Sequence, residues 1–118
     1  MKKSGCKRGE IWLVDFNPGR GSEQQGIRPA LIVQNDIGNL YGATTIVASI
    51  TTQLKSYPIT VSFLPQESQL KQPSMANLSQ LLTIDKKRLL KKIGELIPDK
   101  LKEIDIALIR SLGLTDPN

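Results

Sequence analysis

Apolar and polar positions in this chain fall into short alternating blocks, and only the last stretch lengthens into a helical stripe. Residues 10–16, Glu10-Ile11-Trp12-Leu13-Val14-Asp15-Phe16, are rich in β-branched and aromatic types and predict a first strand. Asn17-Pro18-Gly19-Arg20-Gly21 breaks it, and a polar loop continues to about Gly26. A loop this long with glycines at both ends can act as a lid. Residues 29–34 predict the second strand, whose run Ala30-Leu31-Ile32-Val33 suits burial on both faces. Residues 35–39 are turn material. A third strand covers 44–50 and ends at Thr51-Thr52-Gln53, and a fourth, alternating strand covers 59–63 after Tyr57-Pro58. Short strands are expected at 74–78 and 80–84, then a short helix over 86–90 capped by Asp85, then a last strand at 93–97. The final helix has the clearest pattern. Pro98 suits a first helical position, Leu101, Ile104, Leu108 and Leu112 share one face, and Gly113 stands in the C′ place. Ile106 and Ile109 lie off that stripe and predict a second contact surface for the helix.

The 118 residues suit a single domain over 1–118 with one modest core, and a flexible basic tail over 1–7. With 39% hydrophobic but only 4% aromatic residues, that core must be mostly Ile, Leu and Val. The expected fold is mainly β, a small barrel or sheet with a C-terminal α-helix and short helices. No apolar run approaches the roughly 20 residues that span a bilayer, and no signal core follows the basic N-terminus. A cytoplasmic protein without a membrane partner is the expectation. The net charge of +5 fits contact with a polyanion, and equally a lysine surplus that only aids solubility. The cluster Lys86-Lys87-Arg88 with Lys91-Lys92 reads as a solvated helix face.

Absences narrow the chemistry further. There is no histidine and one cysteine, so imidazole cannot serve as base or ligand. A usual zinc site and a Ser-His triad are excluded. Asp15, Glu23, Asp36 and Glu67 are scattered singly, unlike the converging carboxylates of a magnesium nuclease. No metal and no cofactor is expected. Cys6 sits in the polar tail and has no disulfide partner.

Three polar segments adjoin the apolar strands: Ser22-Glu23-Gln24-Gln25 before Arg28, Thr51-Thr52-Gln53 after the third strand, and Ser79-Gln80 further on. Arg28, at the mouth of the second strand, is fixed at its base and presents a guanidinium fork suited to a phosphate. A metal-free ribonuclease route fits this set. The substrate's own 2′-hydroxyl supplies the nucleophile, while the protein holds the phosphate and stabilises its developing charge. Arg28 would clamp the phosphate and Thr51 would donate a hydroxyl hydrogen bond. Plainer readings stand beside each. Arg28 pairs with a carboxylate such as Glu23, Thr51 and Thr52 merely end a strand, Gln80 satisfies backbone groups, and Trp12 is core rather than a base-stacking platform.

Taken together, Trp12-x-Val14-Asp15-Phe16-x-Pro18, Gly21-Ser22-Glu23-Gln24-x-Gly26-x-Arg28-Pro29 and Thr51-Thr52-Gln53-x-Lys55-x-Tyr57-Pro58 closely resemble the MazF/PemK family of toxin endoribonucleases. Gln80, Thr83-Ile84-Asp85-Lys86-x-Arg88-Leu89 and Ser111-Leu112-Gly113-Leu114 match as well, so the resemblance covers about residues 8–115. It implies a compact SH3-like β-barrel of the CcdB/PemK type and a homodimer whose interface forms RNA grooves. It also implies an antitoxin partner whose acidic C-terminal segment blocks the site. By position, Arg28 and Thr51 match the family's catalytic pair. Ser22, Glu23 and Gln24 fall in the groove-lining loop, Thr52 and Gln53 follow the catalytic hydroxyl, and Gln80 matches a substrate contact. The implied activity is metal-independent, sequence-specific cleavage of single-stranded mRNA, giving a 2′,3′-cyclic phosphate and a 5′-hydroxyl. Some relatives carry a histidine in the loop; here Ile27 precedes Arg28, which closes that variant of the mechanism. Because a guanidinium holds its proton tightly, Arg28 suits electrostatic stabilisation better than proton transfer. Two other readings remain open at this level. One is a CcdB-like gyrase poison without nuclease activity, acting through the end of the C-terminal helix. The other is a catalytically inactive RNA- or peptide-binding relative.

Overall fold

The computed structural model describes residues 5–18, 25–55 and 59–115. In chain order the elements are β1 (Glu10–Asp15), β2 (Ile27–Ile32), α1 (Asp36–Tyr41), β3 (Thr44–Thr51), β4 (Thr60–Phe63), α2 (Pro65–Ser68), β5 (Ser74–Asp85), a 3-10 turn (Lys86–Arg88), β6 (Leu89–Glu95) and α3 (Pro98–Leu112). The strands form one antiparallel sheet in the order β4-β5-β3-β2-β1-β6.

The period-two alternation of each strand divides the core between the two faces of this sheet. One face carries Ile11, Leu31, Ala48, Ile50, Ala76 and Leu78, closed over by Ile104 and Ala107 of α3. The other carries Val14, Ala30, Ile32, Val47 and Ile84, joined by Cys6. Leu101 and Leu108 pack against the first cluster as the helical stripe predicts. Leu112, on the same predicted stripe, is exposed. Ile106 is also exposed. Gly113 ends the helix at φ 69°, a left-handed position natural to glycine. Arg8 ties the start of the chain to this layer, with an ion pair to Asp105 at 2.8 Å and a bond from its Nε to the Val33 carbonyl at 2.8 Å.

The sheet curls until its two edges approach, giving a barrel-like form. The segment after edge strand β4 is α2, and it reaches the other edge strand, β6. Ile97 N–H, just beyond β6, donates to the Glu67 carbonyl at 3.0 Å. Gly94 of β6 faces the Ser68 carbonyl so closely that a Cβ there would lie 2.2 Å from the oxygen.

The expected fold class stands, with several local differences. Strand β2 begins at Ile27, so Arg28 lies inside it and pairs with Val14. Residues 36–41 form helix α1 and not a turn, because the Asn35 side chain caps it by accepting from Gly38 N–H. The helix α2 was not expected. The two short strands at 74–78 and 80–84 are one strand, β5, interrupted by a bulge. Asp85 caps its helix as expected by accepting from Lys87 N–H, but the helix is a single 3-10 turn. Lys91 and Lys92 therefore belong to β6 and not to a helix face. Cys6, expected in a mobile tail, is 4% exposed and packs on Val14 and its neighbours.

Candidate active site at the polar end of the β2–β3 pair

Along β2 the residues facing the second core are Ile32, Ala30 and Arg28. Along β3 they are Val47, Ser49 and Thr51. Ile32 pairs with Val47 and Ala30 with Ser49. The paired register ends at Ala30 and Ser49, and Arg28 and Thr51 are the next residues of the same parity on their own strands, each two positions beyond that last pair. Ile32, Val47 and Ala30 are fully buried, Ser49 is nearly so, Thr51 is half-buried and Arg28 is exposed. Over two steps of about 7 Å each, one continuous face passes from dry core to an open polar end.

Both residues of that end are held by their own surroundings. Arg28 Nε donates to the Gln25 carbonyl at 2.9 Å, which orients the stem and leaves the two terminal nitrogens of the fork for an anion. No carboxylate among the described residues forms an ion pair with it. Glu23, the partner considered above, lies outside the described residues, as do Ser22 and Gln24. Thr51 Oγ1 accepts from Gln53 N–H at 3.0 Å. A hydroxyl whose oxygen already accepts has its hydrogen left to donate outward. Thr52 and Gln53 are exposed beside it.

The base of the loop that precedes Arg28 is closed on β1. Phe16 N–H donates to the Gly26 carbonyl at 2.9 Å, and Gly26 N–H donates to Asn17 Oδ1 at 2.9 Å. Gly26 sits at φ 80°, which an L side chain would resist.

Gln80 comes to this end from a different strand. Its side chain is exposed, and its Oε1 accepts from Ser49 Oγ at 2.8 Å. Ser49 stands one pair inward from Thr51, so Arg28, Thr51, Ser49 and Gln80 occupy one patch. Sequence reasoning missed Ser49. Its only signal was a hydroxyl among the apolar residues of the third strand, and its partner lies 31 positions away.

Trp12 packs against the second core, and its indole N–H donates to Glu10 Oε1 at 2.9 Å. This is the core reading of Trp12. A cavity of about 340 Å³ opens on the same face, lined by Cys6, Trp12, Leu40, Lys86 and Leu89 among others. None of Arg28, Thr51 and Gln80 lines it. Burial pushes the Cys6 thiol above the ordinary range, partly offset by a hydrogen bond with Thr45 and by the nearby Lys86 charge. A thiol held neutral in this way is a poor nucleophile. Among the described residues no three His, Cys, Asp or Glu side chains converge as a metal site would require.

The model of the family described as "PemK-like, MazF-like toxin of type II toxin-antitoxin system" matches residues 7–112. Solved structures agree in fold over nearly the whole chain. An endoribonuclease from a mycobacterial species is 26% identical, with a TM-score of 0.80 and 97% of each chain covered. An endoribonuclease in complex with its cognate antitoxin, also from a mycobacterial species, is 28% identical, with a TM-score of 0.79 over 95% of this chain and 99% of that one. MazF from Deinococcus radiodurans is 26% identical, with a TM-score of 0.80 over 95% of this chain and all of its own. With a match that leaves out only the first few and last few residues, the chain belongs to the PemK-like, MazF-like toxins of type II toxin–antitoxin systems.

Proposed function

We propose that this toxin is a metal-independent endoribonuclease that cleaves single-stranded mRNA at a short sequence, with Arg28 and Thr51 as its catalytic residues. What supports the reading is an exposed guanidinium and a hydroxyl with its hydrogen to spare, each two positions beyond the last paired residues of β2 and β3. Such a pair grips a phosphate from two sides. The 2′-hydroxyl oxygen of the substrate attacks the adjacent phosphorus, a P–O2′ bond forms and the P–O5′ bond breaks. The 2′-hydroxyl gives up a proton to a carboxylate such as Glu23 or to water, and the leaving 5′-oxygen takes one from a water molecule. The products are a 2′,3′-cyclic phosphate and a 5′-hydroxyl. Arg28 and Thr51 stabilise the added negative charge on the pentavalent phosphorus, a contribution worth about 10²–10³ in rate for a single preorganised donor. Ser22, Glu23, Gln24, Thr52, Gln53 and Gln80 line the groove and read unstacked bases.

The partners follow from the same reading. The chain works as a homodimer in the cytoplasm, and a cognate antitoxin silences it by laying an acidic segment over the groove. The net charge of +5 suits both the RNA and such a segment. A gyrase-poisoning role is not favoured by the comparisons, since the similar structures that carry an activity in their names are endoribonucleases. The test is incubation of the purified chain with a long single-stranded RNA in EDTA, with mapping of cut sites and end groups. Discrete cuts with 5′-hydroxyl ends, absent from Arg28→Ala, are expected. Intact RNA from folded protein would overturn the reading.

A further inference from the structure

The carboxamide of Gln80 has two ends of nearly the same shape, a donor and an acceptor, and it is exposed beside Arg28 and Thr51. Which end it shows to a ligand decides which base edges it can recognise. We propose that Ser49 is a positioning residue that holds Gln80 with its NH₂ group toward the RNA, so that this site selects bases presenting an acceptor there. The inference rests on the endoribonuclease reading given above and adds a determinant of its sequence preference.

Three features support it. The first is the bulge in β5. As β3 advances one residue, from Ser49 to Ala48, β5 advances from Asn77 to Leu81. Leu78, Ser79 and Gln80 thus have no register partner on β3. Leu78 and Leu81 both turn toward the helix-covered core, and the insertion carries Gln80 to the opposite face, where it meets Ser49. The second is that the bulge is pinned. Asn77 Oδ1 accepts from both Ser79 N–H, at 3.0 Å, and Ser79 Oγ, at 2.6 Å. Ser111 Oγ of α3 donates to the Leu78 carbonyl at 2.7 Å, and Leu78 N–H donates to the Ile59 carbonyl at 2.9 Å. Gln80 therefore starts from a fixed backbone.

The third is the direction of the Ser49–Gln80 bond. Ser49 is 6% exposed. If its oxygen accepted from the Gln80 NH₂, its own hydrogen would be left in a nearly dry place. Buried donors without partners are rarer and costlier than acceptors with a lone pair unused. Ser49 therefore donates, Gln80 Oε1 is consumed, and Gln80 Nε2 points to solvent with two hydrogens. Acceptors on unpaired bases, such as ring nitrogens and carbonyl oxygens, complement it. Without Ser49 the amide can turn over and present its carbonyl to base amino groups equally well.

The experiment compares full-length wild type, Ser49→Ala, Gln80→Ala and the double variant on a randomised single-stranded RNA pool, with cut sites sequenced and rates measured on the preferred site. Wild type should show a bias at one motif position toward one class of base edge. Ser49→Ala should weaken that bias about fivefold, the scale of one hydrogen bond, with a smaller change in rate on the preferred site. In the Gln80→Ala background the same change should alter nothing further, because Ser49 acts only through Gln80. Thermal melts confirm that each variant is folded. An unchanged motif in Ser49→Ala, or equal effects with and without Gln80, overturns the inference while the endoribonuclease reading stands. RNA left intact by folded wild type overturns both.

Discussion

Arg88, just before the neighbouring strand β6, reaches the carbonyl oxygen of Asp15 at the end of β1, its Nη1 donating at 3.0 Å. The same nitrogen also donates to the Asn17 carbonyl. Arg88 ends the 3-10 turn, while Asp15 and Asn17 open the loop that leads to Arg28. One guanidinium thus anchors the near side of the loop's base, and the Phe16–Gly26 and Gly26–Asn17 bonds close it. Arg88→Ala should cost about 1.5–3 kcal/mol of stability, the range for lost bonds to a charged donor. It should also raise KM for RNA more than it lowers kcat. Steady-state kinetics beside a urea melt would show this; unchanged KM would mean that the loop base holds without it.

Arg28 and Thr51 lie where the sheet has stopped contributing to the core, so replacing them should leave the fold intact. Arg28→Ala is expected to cut RNA cleavage by at least about 10²–10³ with an unchanged melting temperature. Thr51→Ala should fall by a smaller factor, and Thr51→Ser, which keeps the hydroxyl, should recover much of it. Failure of Thr51→Ser to exceed Thr51→Ala would remove the hydroxyl from the mechanism.

Gly94 makes a different prediction. A methyl group there meets the Ser68 carbonyl at 2.2 Å, and neither backbone can yield without parting α2 from β6. Gly94→Ala should destabilise by about 1–3 kcal/mol, as overpacking does. Cleavage per folded molecule should be unaffected, because the contact lies away from Arg28. Equal stability in a denaturant titration would show that the edges are not held together here.

Cys6 gives a pH dependence with a defined sign. Burial raises its folded-state pKa, so above the ordinary thiol value of about 8.5 the unfolded chain loses this proton before the folded one does. The folded state then binds more protons, and stability falls as pH rises through that window. Below it Cys6 contributes no dependence. Cys6→Ala should flatten the alkaline part of a stability–pH curve, and native Cys6 should resist iodoacetamide until the protein unfolds. Rapid labelling of native protein at pH 8 would contradict the burial.

What the sequence disclosed follows the range of the interactions involved. The stripe Leu101, Ile104, Leu108 and the stop at Gly113 are local signals, and α3 is where they place it. The run Ala30-Leu31-Ile32-Val33 suggested burial on both faces, and the two clusters bear it out. Helix α1 escaped notice because it is only six residues long and Gly38 interrupts it, although Ile37, Leu40 and Tyr41 stand at helical spacing on an exposed face. Cys6 was misplaced because its neighbours Lys7 and Arg8 are polar, whereas its burial depends on β2 and β3 folding beneath it. Arg28 and Thr51 were singled out through their flanking pattern, and both fall at the polar ends of β2 and β3. Ser49 was not, since its bond to Gln80 depends on an insertion in another strand.

The two faces of the sheet also divide labour. Cohesion is concentrated under α3, where Ile104, Leu31, Leu78 and Phe63 are sealed from water. The proposed recognition residues sit at the far margin of the other face, where Arg28, Thr52, Gln53 and Gln80 are exposed. On this plan a change at an exposed position of the proposed site, such as Gln80, leaves the packed core untouched, so specificity and stability are separable properties.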